Sequence, residues 1–221
     1  MPASIVRFIS TPTTATCEHS ISMTVTSRQA FLDLVAGRPG HFQLESGHHG
    51  ALWLDLDALF TDAVRIAPFV TALAESIRPH GAAVVCGPLL GGAFLAQLVA
   101  QALSLEFCFT ERTMPSAPGG LYQTRYVLPA AFRARVAGKR VAMVDDVMSA
   151  GSALRGTYDD LRSHGALPVV AGALLQLGDT GAQYFERASV SVEAVARDNY
   201  TMWTPSECPL CAADVQLERP G

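Results

Sequence analysis

The chain is short of charge. Asp, Glu, Lys and Arg make up only 16% of its 221 residues, and the formal net charge is −4. A slightly acidic balance offers no broad basic face, so no nucleic-acid partner is expected. Long hydrophobic runs are missing too. None reaches the roughly 18 residues that a membrane-crossing helix needs, so no membrane partner is expected. Residues 1–25 contain one early arginine, Arg7, but no long apolar core ahead of a small-residue cleavage site, and no secretory signal is expected. There is no internal repeat. The five cysteines are an odd number in a chain large enough to do without covalent staples, which speaks against a disulfide framework and for a reducing cytoplasm.

A hydrophobic content of 49% is ample. A chain this long can bury about 70% of its unfolded surface as a single domain. The expected organisation is a flexible Ser- and Thr-rich extension over 1–25 and one domain over 26–221. That domain includes a small N-terminal hood at about 26–60 and a tail at 205–221.

One stretch organises the rest. Residues 139–157 read KRVAMVDDVMSAGSALRGT. The valine-rich run 140–144 suits a strand buried on both faces. Asp145 and Asp146 follow at its carboxyl end, and then the small residues Ser149, Ala150, Gly151, Ser152 and Ala153 lead into a helix. Such a loop lets backbone N–H groups converge on an anion, the serines add hydroxyl donors, and the helix N-terminus adds its dipole. A phosphate monoester suits it. The carboxylates would repel that phosphate, but they suit the hydroxyls of a sugar carrying it or a divalent cation beside it. An ordinary flavodoxin-like loop with two incidental acids is the alternative.

The stretch resembles the PRPP-binding motif of type I phosphoribosyltransferases. DDVMSAGSALR is especially similar to the DDVxTAGTAxR form found in orotate phosphoribosyltransferases, over about eleven positions. The resemblance implies an α/β fold: a mostly parallel central sheet flanked by helices, with a small N-terminal hood. It also implies transfer of 5-phosphoribose from PRPP to orotate, with Mg²⁺ as cofactor and a homodimer as the working form. Asp145 and Asp146 would then be catalytic, and residues 149–153 would bind the 5-phosphate. Arg155, on the first turn of the helix, would meet the carboxylate of orotate.

Other segments extend the likeness. Residues 27–36 are expected to form a leading helix stopped by Gly37. Phe42 and Leu44 alternate with polar neighbours, Ser46 and Gly47 make a turn, and Trp53–Asp57 alternates again, which predicts a hairpin. This is similar to the family's GHFxLxSGxHSxxY hood motif, and it implies base-binding roles for Ser46, Gly47 and Trp53. Gly50 stands where serine is usual, and Glu45 where some members carry lysine. His48 and His49 are adjacent on a strand and so point to opposite faces, which argues against their sharing a metal.

Phe69, Leu73 and Ile77 predict a helix over 68–78 with Pro68 in its first turn. A buried strand over 82–86 follows, then a glycine loop over 87–92 and another helix. The loop resembles the family's pyrophosphate loop, which implicates Gly87, Pro88, Gly91 and Gly92. A strand over 106–112 leads to a Pro- and Gly-bearing segment similar to the family's mobile catalytic loop, with Arg112 and Arg125 at its cationic positions. The segment 113–124 has no basic residue of its own, unlike well-matched family members. Apolar segments over 168–177 and 190–196 complete the sheet. In the tail, Cys208 and Cys211 have CxxC spacing but supply only two of four zinc ligands, and a two-fold dimer could supply the other pair.

Two alternatives stand beside the orotate enzyme. One is a phosphoribosyltransferase for another nucleobase. The other is a non-catalytic regulator that binds PRPP.

Overall fold

The computed structural model describes residues 28–113 and 124–219. The expected N-terminal extension and most of the catalytic-loop segment lie outside the described residues. The order of elements is α1 (Arg28–Leu32), β1 (Ala36–Gln43), β2 (His49–Asp55), α2 (Ala63–Ile77), β3 (Val84–Pro88), α3 (Gly91–Leu103), β4 (Glu106–Thr113) and β5 (Arg125–Val127). It continues with α4 (Ala130–Val136), β6 (Arg140–Met148), α5 (Ser152–Ser163), β7 (Leu167–Leu177), α6 (Thr180–Arg187), β8 (Ser191–Asp198), β9 (Met202–Trp203) and α7 (Pro209–Ala212).

The main sheet runs β5-β4-β3-β6-β7-β8 and is parallel at every pairing except β4–β5. Its central strands are apolar throughout because helices cover both faces. On one face Ile66, Phe69, Leu73 and Ile77 of α2 pack with Leu95, Ala96 and Val99 of α3 over Val85, Val144 and Leu174. On the other, Val136, Leu154, Leu161 and Phe185 come from α4, α5 and α6 to cover Cys86, Met143 and Ala171. Cys86 and Cys108 are buried among these apolar side chains, and both are free thiols.

The hood is a separate sheet of order β1-β2-β9. β1 and β2 form the expected antiparallel hairpin, with an irregularity in register between Pro39 and Phe42. The tail returns to it. Gln43 N–H donates to the carbonyl of Glu218 at 2.9 Å, and Glu218 N–H donates to the carbonyl of His41 at 2.7 Å. The Arg38 guanidinium and the Glu218 carboxylate pair above these bonds at 2.7 Å.

Several boundaries differ from expectation. The leading helix ends at Leu32, because Ala36 and Gly37 are drawn into pairing with Asp55 and Leu54. α2 begins well before Pro68, since the Asp62 carboxylate caps it by accepting from the N–H groups of Val64 and Arg65. Helix α6 was not foreseen; it buries Gly181, Ala182 and Phe185 on one side. No described helix is long and apolar enough to cross a membrane.

Candidate active site

Strands β3 and β6 are neighbours, but β3 continues to β4 on one side while β6 continues to β7 on the other. At such a reversal the loops leaving the two carboxyl ends diverge and leave a crevice between them. A cavity of about 580 Å³ opens there.

Strand β6 runs further than its valine run, so both carboxylates still belong to the strand. Asp146 N–H donates to Asp145 Oδ1 at 3.1 Å, and Val147 N–H donates to Asp146 Oδ1 at 2.7 Å. Part of Asp145 reaches the cavity, yet its surroundings are dense. That burial, and next the charge of Asp146, push its pKa well above the ordinary carboxylate value.

The glycine loop lies directly against this pair. Gly87 and Pro88 end β3, Leu89 and Leu90 turn the chain through a cis peptide bond, and Gly91 already opens α3. A Cβ on Gly91 would run into the Asp146 carboxylate, and one on Gly92 would lie 2.7 Å from Asp145 Oδ1. Only glycine permits backbone so near the carboxylates.

The loop after β6 is anchored from beneath. Gly151 has φ of 73°, a left-handed value that places α5 directly after the turn. No side chain caps α5, and Ser149, Gly151, Ser152 and Ala153 line the cavity at its open N-terminus. Ala150 points into the core instead. From the other side, Gly181 N–H donates to the Ser149 carbonyl at 3.0 Å, and a Cβ on Gly181 would come within 2.8 Å of that oxygen.

The hood closes the opposite wall with Leu44, Glu45, Ser46, Leu52 and Trp53. The Tyr126 hydroxyl donates to the Glu45 carboxylate at 3.0 Å, and Arg112 Nε lies 4.0 Å from it. Burial, then the Glu45 charge, push the Tyr126 phenol far above its usual pKa, so it remains a donor. Ser46 Oγ is 3.1 Å from His48 Nδ1. Burial, then the nearby Arg155 charge, lower the pKa of His48.

Of the residues singled out from sequence, the cavity brings together Asp145, Asp146, Ser149, Gly151, Ser152, Ala153, Pro88, Gly91, Gly92, Arg112, Ser46 and Trp53. Besides Ala150, four others stand apart from its wall. Gly87 is spent on close packing beneath Gly92, and Gly47 forms the hairpin tip with φ of 83°. Arg125 pairs with Thr113 at the stem of the catalytic-loop segment. Arg155 donates to the Thr180 carbonyl at 3.1 Å and stacks 4.2 Å over the Tyr184 ring, within electrostatic reach of His48.

Sequence reasoning missed Tyr126 and Tyr200, which both line the cavity. Nothing local marks Tyr126 as the partner of a glutamate 81 positions away. Tyr200 explains the departure at Gly50, because a Cβ there would strike the Tyr200 hydroxyl, which donates to the Leu52 carbonyl at 3.2 Å.

Two strand–loop–helix units facing each other across a sheet reversal, one ending in paired carboxylates and an open helix N-terminus, define an α/β enzyme that handles phosphorylated sugars. The chain belongs to the phosphoribosyl transferase domain family, whose model matches residues 63–197, and it is thus a pentosyltransferase. Among similar proteins, the orotate phosphoribosyltransferase of Carboxydothermus hydrogenoformans is 30% identical over 198 residues, covering 86% of this chain and 94% of the relative. The crystal structure of orotate phosphoribosyltransferase from Aeropyrum pernix is 26% identical with a TM-score of 0.56, covering 73% of this chain and 88% of its own. Adenine phosphoribosyltransferase from Thermoanaerobacter pseudethanolicus shares the fold with a TM-score of 0.60 at 15% identity, covering 77% of this chain and 99% of its own.

Proposed function

We propose that the protein is an orotate phosphoribosyltransferase, which transfers 5-phosphoribose from PRPP to orotate and releases orotidine 5'-monophosphate and pyrophosphate. The observation that carries this reading is a cavity bounded together by the Asp145–Asp146 pair, the open N-terminus of α5, the glycine turn of α3 and the hood. The names of relatives at 26–30% identity support orotate as the base.

In this reading Ser149 to Ala153 hold the 5-phosphate with backbone N–H groups and hydroxyls. Asp145 and Asp146 accept hydrogen bonds from the ribose hydroxyls and favour the positive character that develops at the anomeric carbon. The ring nitrogen of the base gives up its proton and bonds to that carbon as the bond to pyrophosphate breaks, and pyrophosphate leaves with the electron pair. Backbone groups at Gly91 and Gly92 hold the leaving pyrophosphate, and Arg112 and Arg125 supply cationic charge from the catalytic-loop stem. Arg155 would leave the Thr180 carbonyl and the Tyr184 ring to pair with the orotate carboxylate, while Ser46 and Trp53 border the base and Gly47 sets the turn beside them.

Paired carboxylates are hard oxygen donors that suit Mg²⁺. Bound there with PRPP, the ion would neutralise charge on the substrate. The reading also includes a homodimer and a cytoplasmic location, and sedimentation of the purified protein tests the dimer.

One observation favours a second reading, another nucleobase in place of orotate. Glu45 puts a carboxylate in the base-side wall. That charge repels anionic orotate and suits a base bearing donor groups.

Purified protein given PRPP, Mg²⁺ and orotate should consume the orotate absorbance. Turnover with adenine, guanine, hypoxanthine or uracil but not orotate would establish the second reading. PRPP binding by calorimetry without turnover on any base would replace both with a PRPP-binding regulator.

A further inference from the structure

Four metal-ligating side chains meet where the tail reaches the hood, away from the phosphate end of the cavity. His41 of β1, His49 of β2, and Cys208 and Cys211 at the start of α7 bring one donor atom each to a common centre, all within 4.8 Å of one another. His41 Nε2 is 3.0 Å from His49 Nδ1, 3.4 Å from Cys208 Sγ and 3.7 Å from Cys211 Sγ. Cys211 Sγ is 3.3 Å from His49 Nδ1.

These four distances lie near the edges of a tetrahedral zinc site. Bonds of about 2.0–2.1 Å to nitrogen and about 2.3 Å to sulfur imply edges of about 3.3 Å between nitrogens, about 3.5 Å from nitrogen to sulfur and about 3.8 Å between sulfurs. We propose that His41, His49, Cys208 and Cys211 bind a structural Zn²⁺ ion that staples the C-terminal segment to the hood.

The donor chemistry selects the metal. Two imidazoles and two thiolates are borderline-soft ligands suited to zinc, whereas Mg²⁺ and Ca²⁺ prefer oxygen. Four protein ligands leave no open position, which marks the site as structural rather than catalytic. The charges close as well: Zn²⁺ with two thiolates and two neutral imidazoles sums to zero, so the complex can be buried without residual charge. His41, His49 and Cys208 are buried, and Cys211 reaches the surface and gives the ion a way in.

One ligand is also oriented from behind. His41 Nδ1 lies 2.8 Å from the Val215 carbonyl, so it carries the proton and donates, leaving the Nε2 lone pair directed at the centre. His48 takes no part, and His49 pairs with His41 across the hairpin. It also removes the need for a dimer to complete the CxxC pair, because the second pair comes from the same chain. The site stands on the geometry of hood and tail, whichever base the cavity accepts.

The test uses the full-length protein without a polyhistidine tag. Elemental analysis should find about one zinc per chain. Chelator-stripped protein should take up one equivalent of Co²⁺ with the intense visible bands of a tetrahedral site and a near-ultraviolet thiolate charge-transfer band, and Zn²⁺ should displace it. A stripped protein that unfolds and regains its near-ultraviolet dichroism on addition of Zn²⁺ alone also supports the site. Cys211→Ser should weaken zinc by well over about 10-fold. His49→Cys should keep the metal and strengthen the charge-transfer band, because it adds a third thiolate. No co-purified metal together with no tetrahedral Co²⁺ spectrum would overturn the proposal. So would zinc retained undiminished in Cys211→Ser, or a charge-transfer band unchanged in His49→Cys.

Discussion

At one end of the cavity the wall is mostly backbone: the Gly91–Gly92 turn, the Ser149–Ala153 loop and the first turn of α5, all leaving adjacent strands of one sheet. At the other end the wall is side chains from the hood, Glu45, Ser46 and Trp53, on a hairpin held by partners far away in sequence: Tyr126 at Glu45 and Tyr200 at the Leu52 carbonyl. The first end presents N–H groups that every sequence possesses, so its glycines and small residues serve to clear space. The second presents chemistry that changes with each substitution. In the proposed reading, recognition of a constant phosphosugar belongs with the first kind of wall, and choice of base with the second.

Substitutions at each end should break this contrast or sharpen it. The largest effect is expected for Asp146→Asn, which in the proposed reading removes one charge facing the anomeric carbon. Its kcat/KM should fall roughly 100-fold to 1000-fold with any accepted base, and a variant as active as wild type would refute the assigned site. Gly92→Ala puts a methyl group 2.6 Å from the Pro88 ring and 2.7 Å from Asp145, so the loop must shift. Its kcat/KM for PRPP should drop on the order of 10-fold to 100-fold with base preference unchanged, as steady-state kinetics with two bases would reveal.

At the hood end the pattern should reverse. Glu45→Gln relieves repulsion of an anionic base, so KM for orotate should fall by about 5-fold while KM for PRPP stays constant. A rise instead would mean that the native base donates to Glu45. The smallest effect is on stability. Because the folded Asp145 pKa is raised, the folded state holds that proton more tightly than the unfolded chain, and stability drains away as pH climbs from the ordinary carboxylate range toward the raised value. Asp145→Asn should therefore melt a few degrees higher than wild type at neutral pH. The gap should close in acid, as thermal denaturation at two pH values would check.

The legibility of the molecule follows the same division. Strand β6, its carboxylates and the turn into α5 are contiguous, so valines, aspartates and small residues declared them locally. The hairpin was equally plain, because Phe42 and Leu44 alternate and Gly47 marks the tip. Helix boundaries are less so: Asp62 caps α2 from outside the apolar pattern, and Pro68 lies inside the helix rather than in its first turn. Contacts across long separations carry no local signature. His41 and Cys208 stand 167 positions apart, and no periodicity links them; nor does any motif join Arg155 to Tyr184 rather than to the cavity.

The return of the tail along β1 has a further consequence. β1 is an outer strand of the hood sheet, and the exchange of main-chain bonds among His41, Gln43 and Glu218 occupies groups that would otherwise face outward. An uncovered strand edge is a template on which another chain can grow. Glu218 and its neighbours thus act as a stopper, holding the molecule back from joining its own kind edge to edge.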